Sequence, residues 1–132
     1  KARHKFDKAS QKPKITFKIP FLPISSIMTV KKFERRRVHC TDFSGVYVLH
    51  NCKNKKNYVG QSQRVMKRVN DHLTGHGCRD VYRDYKNGDK FYIHTIPFKG
   101  SGYRSLNALE RDNIAKYSGY TRGYNKTKGN IG

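Results

Sequence analysis

The sequence has no tryptophan, two methionines, four prolines and three cysteines in 132 residues, and it sets only 9 acidic side chains against 29 lysines and arginines. Each shortage closes off a class of protein. Cys40, Cys52 and Cys78 are odd in number and form no C-x-x-C pair, which argues against a disulfide framework or a cysteine zinc site and for a reducing compartment. No apolar run approaches the roughly 18 residues of a membrane span, so no membrane partner is expected. A hydrophobic fraction of 35% is enough for one small domain with a modest core. The chain opens at Lys1, so an initiator or an earlier segment is expected to be missing.

The scarcity of acid leaves a net charge of +20. Residues 1–40 carry 12 basic and 2 acidic side chains and residues 41–132 carry 17 and 7, so the excess is not confined to a tail. Such an imbalance needs an anionic partner. Nucleic acid is the first reading, with affinity that falls steeply as salt rises through counterion release. Charge alone also permits a ribosomal or membrane-surface protein.

Residues 1–14 are basic and polar with one aromatic, Phe6, and read as a flexible arm. The apolar stretch from Ile15 to Val30 is broken by Pro20 and Pro23, which argues for an extended segment laid against the domain rather than a helix. A basic start before an apolar run also mimics a secretory signal, a reading that Lys18 and the prolines weaken. Val30 to Cys40 returns to charge, and its Arg35-Arg36-Arg37 triplet is either a solvated face or a phosphate-contacting patch.

The rest of the chain is arranged around Gly45-Val46-Tyr47 and Tyr58-Val59-Gly60, two β-rich runs joined by the polar loop Asn51 to Lys56. Alternation puts Tyr47 and Leu49 on one face of the first strand and Val46 and Val48 on the other. Glycines beside both tyrosines suit close approach of another chain or a ligand. The periodicity then turns helical. Val65, Met66, Val69 and Leu73 form a buried stripe, and Arg64, Arg68 and His72 form a row bordering it, held in place yet within reach of solvent or a phosphate. That helix is expected to end near Gly75. A second helix follows over Cys78 to Lys86, closed by the turn Lys86-Asn87-Gly88-Asp89, with His76 in the break between the two helices. Phe91 to Phe98 alternates as a third strand, in which His94 reads as structural. Leu106, Leu109, Asn113, Ile114 and Tyr117 trace one face of a third helix, with Glu110 in the middle of that face. A carboxylate there asks for a cation, either an arginine or a divalent metal.

These residues resemble the GIY-YIG endonuclease family, with Val46 and Val59 in place of the two isoleucines of its name. The resemblance runs on through Arg68, His72, Glu110 and Asn125, with spacings like those of intron-encoded members, and covers roughly residues 43 to 127. It implies an α+β domain over 41–132, with a three-stranded, mainly antiparallel sheet flanked by helices, behind a basic and partly extended N-terminal arm over 1–40. It also implies a metal-dependent DNA endonuclease of the homing, mobile-element or phage type, leaving 5′-phosphate and 3′-hydroxyl ends. Glu110 would hold one Mg²⁺ or Mn²⁺, and Arg68 would donate to the scissile phosphate. Tyr47 would activate water, with His72 accepting or relaying its proton, while Tyr58 orients the water or phosphate and Asn125 fixes the geometry. An isolated tyrosine, with a pKa of about 10, is a poor base at neutral pH, and basic neighbours would favour its phenolate.

Arg35, Arg36, Arg37, Arg64, Lys67 and His76 are the expected nucleic-acid contacts; relatives carry a further functional polar residue near His76. Sequence preference would come from the arm, the loops, a recognition partner, a homodimer or a segment outside this chain. The resemblance points to a cytoplasmic, nucleoid-associated enzyme encoded by a bacterium or phage. A non-catalytic nucleic-acid-binding module of the same fold and an RNA-directed nuclease are the competing readings, which metal-independent binding and DNA–RNA competition would separate from it.

Overall fold

Of the two middle strands of the sheet, one alternates buried and more open side chains, from Phe91 to Pro97, while the other, from Gly45 to Asn51, is buried on both faces. The computed structural model describes residues 24–129, so the expected arm over 1–14 and the apolar stretch 15–23 lie outside the described residues. In chain order the elements are β1 (Ser26–Thr29), α1 (Val30–His39), β2 (Gly45–Asn51), β3 (Asn57–Ser62), α2 (Val65–Leu73), α3 (Arg79–Lys86), β4 (Phe91–Pro97) and α4 (Leu106–Lys116). The strands form one antiparallel sheet in the order β1-β4-β2-β3. The fold is α+β, and the sheet has four strands where the sequence had indicated three.

The added strand and the helix after it come from the segment that the sequence grouped with the arm. β1 pairs Ser26 with Thr95 and Thr29 with Tyr92, so it borders β4 along its whole length. Thr29 then caps α1, its Oγ1 accepting from the Lys32 N–H at 3.2 Å. Met28 and Phe33 are buried in the core, which gives this basic segment an apolar footing on the domain.

The sheet separates two hydrophobic clusters. Tyr47, Leu49, Phe91 and Ile93 point to the side where Phe33 of α1, Val65, Met66, Val69 and Leu73 of α2, and Val81 of α3 are packed. Val46, Val48 and Val59 point to the other side, against Leu109 and Ile114 of α4. The alternation read in β2 and the buried stripe read in α2 are both present. The β2–β3 connection is shaped by Asn51, whose Oδ1 accepts from the Lys53 N–H at 2.8 Å, and by Lys55 in the left-handed region at φ 65°. Among the described residues no helix is long and apolar enough to cross a membrane.

Candidate active site

The antiparallel register puts Tyr47 opposite Gly60 and Leu49 opposite Tyr58, so both tyrosines lie on the α2 side of the sheet. Gly60 has no side chain, and the Tyr47 ring occupies that space: a Cβ there would collide with the Tyr47 Oη and Cζ. The close approach that the glycines suggested is therefore made within the molecule, by the first tyrosine on the second motif. The tyrosine rings lie 6.3 Å apart, and His72 completes the cluster at 5.4 Å from Tyr47 and 4.9 Å from Tyr58.

Helix α2 delivers His72 one turn after Arg68. Its imidazole is fully buried, which corrects the expectation that it reaches solvent; the 75–78 connection brings Gly77 against it. Both ring nitrogens are engaged. Nε2 lies 2.7 Å from Tyr47 Oη, and Nδ1 accepts from the Cys78 main-chain N–H at 2.7 Å. An amide N–H can only donate, so Nδ1 carries a lone pair and a neutral imidazole has its proton on Nε2. Burial pushes the His72 pKa down to about 4, with the charge of Arg68 adding and Asp71 opposing, so the ring is neutral at pH 7. His72 thus donates to the Tyr47 oxygen rather than accepting its proton, the reverse of the direction expected from sequence.

Burial raises the pKa of the Tyr47 phenol above its ordinary value; Tyr58 and Glu110 raise it further while Arg68 lowers it. Burial likewise raises Tyr58, with Arg68 again opposing. Arg68 acts in the expected direction, but loss of hydration outweighs it. Tyr47 is almost wholly enclosed, whereas Tyr58 and Arg68 are only partly buried. The Arg68 guanidinium is steadied by the His76 carbonyl, which accepts from Nη1 at 3.2 Å, and by Asp71 at 3.6 Å. His76 therefore enters the site through its main chain, while its exposed imidazole meets Thr74 Oγ1 at 3.2 Å.

Glu110 sits on α4, half-buried at the margin of the inward face rather than at its centre, where Leu109, Asn113 and Ile114 lie. Its Oε1 accepts from Gln61 Nε2 at 2.9 Å, and none of the ion pairs among the described residues involves it. The arginine partner weighed for this carboxylate is thus not found, and its oxygens are held by one neutral donor. Among the described residues no three His, Cys, Asp or Glu side chains form a ready-made metal cage. A single carboxylate of this kind fits a Mg²⁺-type ion, which keeps several waters and takes further ligands from substrate phosphate. Asn125 clamps the outer edge of β3, Oδ1 accepting from the Val59 N–H and Nδ2 donating to the Val59 carbonyl, both at 2.8 Å.

The model of the GIY-YIG catalytic domain matches residues 43–125, which span all of these side chains. The chain belongs to the GIY-YIG family. As a GIY-YIG protein it is an endonuclease, a domain of this kind acts on DNA, and nucleases of the family generally depend on a divalent metal. It is also similar to a solved structure, the catalytic domain of the intron endonuclease I-TevI in a point-mutant form. The two are 22% identical with a TM-score of 0.48, over 67% of this chain and 98% of that one. No curated protein matches the chain.

The basic residues outside the GIY-YIG cluster fall into two places. Arg64 precedes α2 and Lys67 lies in its first turn, both exposed, with Lys67 paired to Asp71 at 3.3 Å. Arg35, Arg36 and Arg37 sit on α1: Arg37 is held by Glu34 at 3.1 Å, Arg36 reaches Ser26 at 3.4 Å, and Arg35 is exposed. Sequence reasoning missed Gln61, which orients Glu110, and Asp42, whose carboxylate accepts from the Met66 and Lys67 N–H groups and starts α2. Neither had a local signal: Asp42 lies 24 residues before Met66 and stands in front of β2, and Gln61 lies 49 residues from Glu110.

Proposed function

We propose that this GIY-YIG endonuclease hydrolyses DNA phosphodiesters by a water activated at Tyr47, with one divalent cation on Glu110 and Arg68 on the phosphate, leaving 5′-phosphate and 3′-hydroxyl ends. The observation that carries this reading is the convergence of Tyr58, His72 and Arg68 on Tyr47, with Glu110 free of any ion pair among the described residues. Each group matches one need of the reaction. Arg68, half-exposed and braced by the His76 carbonyl, presents its remaining donors to a non-bridging phosphate oxygen, where a planar fork fits better than an ammonium.

The Tyr47 oxygen already accepts from His72 Nε2–H and lies beside the Arg68 guanidinium, two interactions that favour a phenolate against the opposing burial. Tyr58, the more open of the two phenols, would orient the water or the phosphate. Glu110 would hold a Mg²⁺ or Mn²⁺ ion, which when bound supplies Lewis-acid stabilisation of the phosphate and the departing 3′ oxygen. Asn125 keeps β3, and with it Tyr58 and Gly60, in register without touching the reacting groups.

Supercoiled plasmid nicking with Mg²⁺, with EDTA, and with the Glu110→Ala variant tests the reading. Nicking that needs both Mg²⁺ and Glu110, with DNA binding retained by the variant, is the expected result. Full-rate nicking by Glu110→Ala would refute the metal assignment. Metal-independent binding with no scission would favour a binding module, and preferential cleavage of RNA in competition would move the substrate.

A further inference from the structure

His72 is held from two sides, and only one of them is a side chain. Its Nδ1 partner is the main-chain N–H of Cys78, six residues on and beyond the turn that follows α2. The peptide can come this near because residue 77 is glycine. A Cβ at Gly77 would collide with Nδ1 and lie 2.7 Å from both Cγ and Cε1 of the imidazole. Gly77 therefore serves the histidine as Gly60 serves the tyrosine, each leaving room for a ring of the same cluster. The N–H at Cys78 would otherwise be an unpaired donor at the N-terminus of α3, where Cys78 is the cap residue and makes no side-chain cap bond.

We infer that the Gly77–Cys78 peptide segment is a positioning element of the nuclease site, which holds His72 as the Nε2–H tautomer so that the histidine donates to the Tyr47 oxygen and stabilises it as a phenolate, the phenol proton leaving to bulk water before that oxygen takes a proton from the attacking water. The inference rests on the assignment of Tyr47 as the water-activating group. A hydroxyl that accepts from Nε2–H cannot also donate to it, so its own proton must go to another acceptor. With the opposite tautomer, a bare Nε2 would accept from the phenol O–H and leave the phenolate oxygen without a donor. The neutral state given to His72 by burial keeps this choice in force, because a protonated imidazole could not accept from Cys78.

The test separates the main chain from the thiol. Cys78 has φ −66°, within the range of proline, and glycine before it tolerates the restriction that a proline imposes, so Cys78→Pro removes the N–H while keeping the chain path. Nitrogen-15 NMR of His72 is expected to show an unprotonated Nδ1 and a protonated Nε2 in the wild type and in Cys78→Ala, and a mixture of tautomers in Cys78→Pro. The single-turnover nicking rate of Cys78→Pro is expected to fall roughly ten- to a hundredfold, the scale set by a lost hydrogen bond and a disturbed histidine tautomer, with DNA affinity changed less than about twofold. A protonated Nδ1 in the wild type overturns the proposal even if Cys78→Pro fails to fold, and Gly77→Ala provides a second disruption. A shifted tautomer with an unchanged rate also overturns it, by making the contact merely structural. A wild type that cuts no DNA would refute the Tyr47 reading instead, and the nitrogen shifts would still decide whether the segment sets the tautomer.

Discussion

Tyr47 and His72 show how burial and chemistry are joined at the scale of single residues. Tyr47→Phe keeps the ring against Gly60 but removes the acceptor of His72 Nε2–H. A buried donor left without a partner costs about 1–3 kcal/mol, and a lost general base costs about 100-fold or more in rate. The variant should therefore be less stable in urea by that amount and cleave at least about 100-fold more slowly. Cleavage within threefold of wild type would remove Tyr47 from the reaction. His72 makes a separate prediction about acid. Its folded pKa of about 4 lies below the ordinary 6.5, so the unfolded chain binds the proton more readily, and stability falls as pH drops from 6.5 toward 4. The full shift corresponds to roughly 3 kcal/mol. Burial lowers the His94 pKa in the same direction, while Asp80 and Asp84, whose pKa values are lowered from 3.8, act mainly below that window. The slope of urea stability between pH 6.5 and 4 should thus be shallower in His72→Gln than in the wild type. Equal slopes would mean that His72 is already as easily protonated in the fold as out of it.

At the scale of elements, the parts that could be read from sequence were those whose pattern is carried by side chains at fixed spacing. β2 declares itself by its run of β-branched and aromatic residues, α2 by Val65, Met66, Val69 and Leu73, and the tyrosines by their flanking glycines. β1 and α1 were missed for an opposite reason. A four-residue strand shows little alternation, and α1 reaches the core through Phe33 within a run of cations. Gln61 and the Gly77–Cys78 peptide were unreadable because one joins strand to helix across 49 residues and the other acts through the backbone. If α1 is an integral part of the domain, Phe33→Ala should destabilise it by about 3–5 kcal/mol, the usual cost of emptying a buried phenylalanine site. A loss below 1 kcal/mol in urea unfolding would return α1 to the status of an arm.

For the whole molecule, 9 carboxylates cannot neutralise 29 lysines and arginines, and among the described residues five of those carboxylates already sit in ion pairs with neighbouring cations. The resulting field would draw in a polyanion, so that on the proposed reading the charge sets affinity and approach while the GIY-YIG cluster sets the chemistry. These two contributions can be separated. Residues 1–14 hold six lysines and arginines and one aspartate, all outside the segment 43–125 that carries the catalytic domain. If these cations meet DNA phosphates, removing them should weaken binding and flatten the plot of log affinity against log salt by up to about 5, taking roughly 0.9 per phosphate contact. The nicking rate at saturating DNA and low salt should change less than about twofold, because no group of the tyrosine cluster is lost. An unchanged salt slope would show that this end of the chain touches nothing on the DNA. A fallen saturated rate would show that it does more than bind.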